Sequence, residues 1–292
     1  MTLGVHLRLG RVSNLPTVWS NVLAGAVLAG LPLQSPAALL LAMLGFSCLY
    51  IGGMYLNDAC DADTDARERP DRPIPSGAIS RSAVRGATLA WFLLGPAFLG
   101  AARTLSPTGS GIGWLLATLA LIACIVIYDL HHKGNRFGPL WMAACRSLVY
   151  LGAALTLTGA IGTPVLVGAA LAFAWIAGLT AFAKQEGGQA RTAWAWPVAV
   201  LLLPVLIALT EWQHASIVLP LALATVGLIA LARHWMRRRG AADFPAAIGL
   251  LIAGVSLVDA LAIAAIGYPV PAMLALGCGA LTLLLQRRIA GT

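Results

Sequence analysis

Ten apolar runs, each close to twenty residues long and nearly free of charge, follow one another along the chain. They lie at about 16–33, 37–56, 82–102, 111–128, 138–160, 164–183, 194–210, 215–232, 245–266 and 270–286. Crossing a hydrocarbon core takes roughly 20 apolar residues in a helix. With no water there, every backbone N–H and C=O must pair within the segment or close into a barrel. The runs are continuous and lack the alternation of barrel strands, so they predict an all-α, polytopic transmembrane bundle. Only 10% of residues are charged, against about 25% in soluble domains, so a soluble fold would lack a polar surface. No soluble domain or short repeat interrupts the series, and residues 1–292 read as a single membrane-embedded domain. The first run is long enough to span, so it reads as a retained helix and not a cleaved leader.

Charge placement sets the topology. The basic residues gather in alternate gaps: Arg8 and Arg11, the stretch 58–85, Lys133 with Arg136, Lys184 with Arg191, the stretch 233–239, and Arg287 with Arg288. The other gaps are nearly bare, Arg103 excepted. Ten spans put every basic cluster on one side, which the positive-inside rule makes cytoplasmic, together with both termini. Nine spans would strand the 233–239 cluster or the Arg287–Arg288 pair on the wrong face. The expectation is therefore nine to ten helices, ten preferred, in a bacterial plasma membrane. A net charge of +8 distributed in this way contacts membrane lipid, and it excludes nucleic acid as a partner. The five cysteines are odd in number and scattered, with neither a disulfide framework nor metal-ligand spacing.

The informative feature is acidic. Of eleven acidic residues, six (Asp58, Asp61, Asp63, Asp65, Glu68, Asp71) fall within fourteen positions, directly after the run that ends at Leu56. If the helix continues past Leu56, a step of about 100° per residue places Asn57, Asp58, Asp61 and Asp65 within one arc of about 100°. Asp63 falls on the opposite side. Three carboxylates and an amide that converge in this way repel unless a cation sits among them. Hard oxygen donors suit Mg2+ or Ca2+, and Mg2+ commonly bridges carboxylates to substrate phosphate. The segment Arg67-Glu68-Arg69-Pro70-Asp71-Arg72-Pro73-Ile74-Pro75-Ser76-Gly77 follows. Its prolines stop the helix, and its arginines suit phosphate oxygens.

The pattern Asn57-Asp58-x-x-Asp61-x-x-x-Asp65, followed by Arg72-Pro73-Ile74-Pro75-Ser76-Gly77 and preceded by Arg11-x-x-Asn14-x-Pro16, resembles the first signature of the UbiA superfamily of intramembrane prenyltransferases. The resemblance is strong over residues 8–90, fainter to about 190, and beyond that only hydrophobicity supports it. It implies helices around a central cavity that opens to lipid, with a polyprenyl diphosphate donor held by Mg2+ between two acidic motifs. Asp58, Asp61 and Asp65 would bind metal, Asn57 would support metal or diphosphate, and Arg67 and Arg72 would contact the diphosphate.

The family's second acidic motif has a weak counterpart here, Phe182-Ala183-Lys184-Gln185-Glu186-Gly187-Gly188-Gln189. Glu186, with Asp129, is the candidate for a second metal; alternatively Lys184 replaces that metal as counter-charge. The family's Tyr and Lys four residues apart correspond to Tyr128 followed by His132 and Lys133. The chain's two lysines, Lys133 and Lys184, both fall in gaps on the acidic cluster's side, where they read as phosphate contacts or as snorkelling anchors. The departures place the chain in a divergent branch similar to the UbiA-like (EboC-like) proteins of bacterial secondary-metabolite operons.

Deep in the runs lie Arg146 and Asp259, and charges at that depth face an interior. Arg146, four residues before Tyr150, reads as a further diphosphate contact or a structural pair. Asp259, near Ser256, reads as a helix–helix contact. The expected activity is Mg2+-dependent transfer of a prenyl group to an unidentified acceptor. The alternatives are a non-catalytic prenyl-phosphate or metabolite carrier, and a terpene cyclase or phosphoribosyl transferase built on the same fold.

Overall fold

In the computed structural model, the structure describes residues 3–30, 35–106, 111–131, 135–183, 195–210, 212–238, 243–289 and 291. Among these residues there are eleven α-helices and two short 3-10 turns, and no strand. The helices are α1 (Leu3–Leu9), α2 (Leu15–Leu28), α3 (Pro36–Glu68), α4 (Arg81–Thr104), α5 (Gly113–His131), α6 (Gly138–Leu157), α7 (Thr163–Ala183), α8 (Ala195–Ala208), α9 (Ala215–Arg238), α10 (Asp243–Ala265) and α11 (Pro269–Gln286). Each of the ten apolar runs is one helix, α2 to α11. Eight of them are long and apolar enough to cross a membrane. The exceptions, α2 and α8, have 14 residues each, or about 21 Å of helix.

Consecutive helices pack as hairpins, and α2 closes the bundle by lying against α6, α10 and α11. Asn14 Nδ2, just before α2, donates to the Gly291 carbonyl at 2.8 Å. Gln286 Nε2, at the end of α11, donates to Asn14 Oδ1 at 3.0 Å. The start of α2 and the end of α11 therefore share one end of the bundle, which an even number of traversals requires. Ten satisfies this, as do the eight longer helices alone, and nine does not.

Helix α10 is almost wholly enclosed, as is most of α7, whereas α4, α5, α9 and α11 turn large apolar side chains such as Leu93, Leu116, Leu223 and Met273 outward. Lipid removes the hydrophobic drive between helices, so small residues that permit close backbone approach set the contacts. Gly25 on α2 is the tightest backbone case: a Cβ there would stand 2.6 Å from the Tyr150 carbonyl oxygen of α6.

Two features shape the site end. Helix α3 runs 12 residues past Leu56, to Glu68, so the acidic stretch is helical, as its spacing predicts. The proline-rich segment then folds back: Ile79 N–H donates to the Pro73 carbonyl at 3.3 Å, and Gly77 takes φ +75°, a left-handed turn that glycine adopts without cost. Ile79 and Val84 pack on Tyr55 and Ala59 of α3, together with Val5 and Leu9 of α1. Helix α1 itself was not among the predicted runs, being only 7 residues long.

Candidate diphosphate site

The returning loop carries Arg72 back to the carboxylates seven and fourteen positions before it. Its guanidinium donates to Asp65 Oδ2 at 3.1 Å and to Asp58 Oδ1 at 3.2 Å. A second arginine enters from the other side. Arg11 donates to Asn57 Oδ1 at 3.2 Å, to Asp58 Oδ1 at 3.3 Å and to the Met54 sulfur at 3.4 Å. It does so from φ 42°, ψ 48°, the one left-handed non-glycine residue among those described. Such backbone costs on the order of 1–3 kcal/mol and persists where surrounding contacts hold it, often at functional sites. A third wall comes from α5: Asn57 Nδ2 donates to Asp129 Oδ1 at 3.1 Å. Tyr128 lies half-buried within electrostatic reach of Asp129, Arg11 and Asp61.

Asn57, Asp58, Asp65 and Asp129 are buried and Asp61 is half-buried. Asp63 points the other way, its side chain 80% exposed and paired with Arg81 at 3.0 Å, as the helical arc requires. Of the three arginines read as diphosphate contacts, Arg67, Arg72 and Arg146, only Arg72 reaches the cluster. Arg67 is exposed, two residues and about 200° beyond Asp65, on the far side of α3. Lys133, Lys184 and Glu186 lie outside the described residues.

Arg146 is not part of this cluster, contrary to its assignment to the diphosphate. It is held in the interior by Asn21 Oδ1 at 2.7 Å and Thr17 Oγ1 at 3.1 Å, and lies over the ring of Tyr50 at 5.8 Å. Tyr50 is eight residues before Asp58, or about 12 Å down α3. Asp259 is a helix–helix contact, as expected, but a larger one. Its carboxylate accepts from Asn21 at 2.8 and 2.9 Å, from Ser20 at 2.5 Å and from Tyr150, joining α10 to α2 and α6.

Arg11 is the functional candidate missing from the residue assignments. Its signal was present in the Arg11-x-x-Asn14-x-Pro16 segment, but nothing local shows that a chain turn brings it to residues 46 and 47 positions later.

The donor set fits a hard cation in chemistry: Asp58, Asp61 and Asp65 offer carboxylate oxygens from one helix face. Among the described residues, however, no three acidic, imidazole or thiol groups form a ready metal cage. The physical reason is that the guanidiniums of Arg72 and Arg11 already balance the charge of Asp58 and Asp65.

Comparison with known proteins fits this arrangement. Digeranylgeranylglyceryl phosphate synthase of Metallosphaera sedula is 33% identical over 144 residues, 49% of this chain and 48% of that protein. The synthase of Sulfurisphaera tokodaii is 34% identical over 95 residues, 32% of this chain and 34% of that protein. The chain thus spans a third to a half of the length of these archaeal relatives. Among solved structures, one concerned with digeranylgeranylglyceryl phosphate synthase in membranes superposes with a TM-score of 0.62 at 16% identity, covering 91% of this chain and 99% of the other. A UbiA homologue from Archaeoglobus fulgidus bound to DMAPP and Mg2+ superposes with a TM-score of 0.56 at 18% identity, covering 93% and 99%. The model of the UbiA prenyltransferase family matches residues 18–255, a stretch that contains the α3 carboxylates, Arg72, Asp129 and Arg146, and the chain belongs to that family.

Proposed function

We propose that this chain transfers a prenyl group from an isoprenoid diphosphate to a small or lipophilic acceptor, inside the membrane and with Mg2+. The observation that carries the reading is the clamp at the end of α3, where Asp58 and Asp65 share Arg72, and Asp58 also takes Arg11. Asp58, Asp61 and Asp65 would hold Mg2+, with Asn57 and Asp129 beside them; when bound, the ion stabilises the negative charge that builds on the leaving pyrophosphate. Arg72 and Arg11, released from the carboxylates, would turn their planar forks to phosphate oxygens and so orient the donor at the mouth. The acceptor's own electron pair attacks the allylic carbon, so no strong base is required. Family membership and the DMAPP- and Mg2+-bound homologue support the donor class. The basic clusters of the sequence support a cytoplasmic mouth, and the names of the curated relatives make geranylgeranylglyceryl phosphate a first acceptor to try.

The experiment is pyrophosphate release in lipid nanodiscs from geranylgeranyl diphosphate and Mg2+, with a panel of acceptors. Release that stops on chelation is expected. Donor binding without release for any acceptor would overturn transfer and favour the carrier reading, whose support is that the described acidic wall is clamped by arginine and is not a ready metal cage.

A further inference from the structure

The interior holds a second charged group that the diphosphate chemistry does not use. Arg146 sits in the middle of α6, half-buried, with its guanidinium held by Thr17 and Asn21 of α2 and lying over Tyr50 of α3. These contacts turn the guanidinium toward the bundle interior, since Thr17 and Asn21 are fully buried. Met54 and Tyr50, one and two turns down α3 from Asp58, are half-buried in the same way. Arg11 touches the first and Arg146 covers the second. A row of groups thus leads from the carboxylate mouth down to the Arg146 guanidinium.

The partners of that guanidinium are unusual for such depth. Both hydrogen-bonded atoms, Asn21 Oδ1 and Thr17 Oγ1, are neutral, and among the described residues no carboxylate lies within 4.0 Å of it. Two of five N–H donors are used. A buried cation in a low-dielectric interior calls for an anion. One exists nearby, but the protein keeps it one residue away. Asp259 is fully buried, and each of its oxygens accepts two hydrogen bonds, from Asn21 and Tyr150 on one and from Asn21 and Ser20 on the other. The Asn21 amide stands between, oxygen to Arg146 and nitrogen to Asp259. This bridge balances the charge at a distance, fixes the guanidinium plane and leaves its remaining donors free. A direct Arg–Asp pair would have filled them.

We infer that Arg146 anchors an anionic group of the acceptor, a carboxylate or a phosphate, and that Asp259 is a positioning residue acting on it through Asn21. This rests on the transfer reading for the word acceptor, but the anion site is testable alone. The acceptor's acidic end would bind about 12 Å below the diphosphate, its reactive end pointing back toward Asp58. Asp259 comes from α10, just beyond the stretch that the family model matches.

The test is thermal stabilisation in nanodiscs by dodecyl phosphate, dodecanoate and dodecanol, with the Arg72→Ala variant to remove response at the mouth. At least one anionic amphiphile should stabilise both wild type and Arg72→Ala while dodecanol does not, and which of the two acts separates phosphate from carboxylate. Arg146→Gln should weaken that response about tenfold or more, the loss of one charge-assisted contact. Asp259→Asn should weaken it less, and leave stabilisation by geranylgeranyl diphosphate with Mg2+ unchanged. Should Arg146→Gln fail to fold, Asn21→Asp puts a carboxylate on the guanidinium and should quench the response. No anion-specific response in wild type, or an undiminished one in Arg146→Gln or in a folded Asn21→Asp, overturns the inference. Absence of pyrophosphate release with the anion response intact sinks only the transfer reading.

Discussion

The two charged regions of this protein solve the same electrostatic problem in opposite ways. At the mouth, Asp58 and Asp65 meet Arg72 and Arg11 directly, at 3.1–3.3 Å, with the arginine side chains about one-fifth exposed. In the interior, Arg146 and Asp259 never touch; Asn21 separates them and every Asp259 oxygen is satisfied. The carboxylates at the mouth are buried, but each guanidinium keeps some exposure and more than one acceptor, so it can shift between partners without leaving a charge unpaired. A pair bridged by a fully buried amide has no such route, and it holds its geometry. The mouth is built to trade contacts with a charged ligand; the interior is built to keep one orientation.

The sharpest way to break that contrast is to remove the interior anion. Asp259→Ala leaves Arg146 charged without its compensating carboxylate and strips partners from Ser20, Asn21 and Tyr150. Losing one member of a buried pair costs about 3–5 kcal/mol, so a large fall in the denaturant or thermal midpoint is expected in nanodiscs. At the mouth, Asp58→Ala should do the reverse. Arg72 keeps its bond to Asp65 and Arg11 its bond to Asn57, so the structural loss is smaller, while pyrophosphate release falls about 10²–10³-fold, the scale on which a preorganised electrostatic contact acts. A destabilised but fully active Asp58→Ala would erase the distinction.

Close packing sets the precision of the interior bridge. Gly25 lies one turn beyond Asn21 on α2, and its added Cβ would meet the Tyr150 carbonyl at 2.6 Å and Ala153 Cβ at 3.1 Å. Gly25→Ala should push α2 from α6 at a cost of about 1–3 kcal/mol, and it should loosen the Asn21–Arg146 bond more than anything at the mouth. Comparing donor and anion stabilisation in this variant measures how independent the two regions are. Among the arginines of the acidic stretch, Arg72→Ala should raise the donor KM about tenfold, one charged contact's worth. Arg67→Ala, exposed on the opposite face, should leave it unchanged.

How far the sequence carried depended on whether the information was local. Run length and alternate-loop charge predicted ten helices, and the Asn14–Gln286 contact requires the even count. The helical step placed Asp58, Asp61 and Asp65 on one face and excluded Asp63. It could have excluded Arg67 by the same arithmetic, had the helix been carried past Asp65 to its end at Glu68. Arg11 and Arg146 failed for a different reason. Their partners lie 47 and 125 positions away, and nothing in a single helix tells at what depth a distant helix crosses it. Asn21 carried no signal at all, since a lone amide in an apolar run is unreadable until its two neighbours are known. Tyr128 and Asp129, at the end of α5, were reachable because a helix end already points to a face.

The smallest effect separates the acidic stretch into its working and its idle parts. Asp63 and Arg81 form the most exposed ion pair of the stretch, and the arginine also donates to the Ala59 carbonyl at 2.7 Å. Exposed pairs contribute about 0–1 kcal/mol because water competes and side-chain entropy opposes them. Asp63→Ala should therefore shift the unfolding midpoint by little and leave pyrophosphate release unchanged, only two residues from Asp61 and Asp65. Its value is that the same carboxylate chemistry, two residues away, sits on the opposite face of α3. If Asp63→Ala proved as damaging as Asp58→Ala, general negative charge at the end of α3 would be what matters, and the one-face arrangement that sets the mouth apart would lose its meaning.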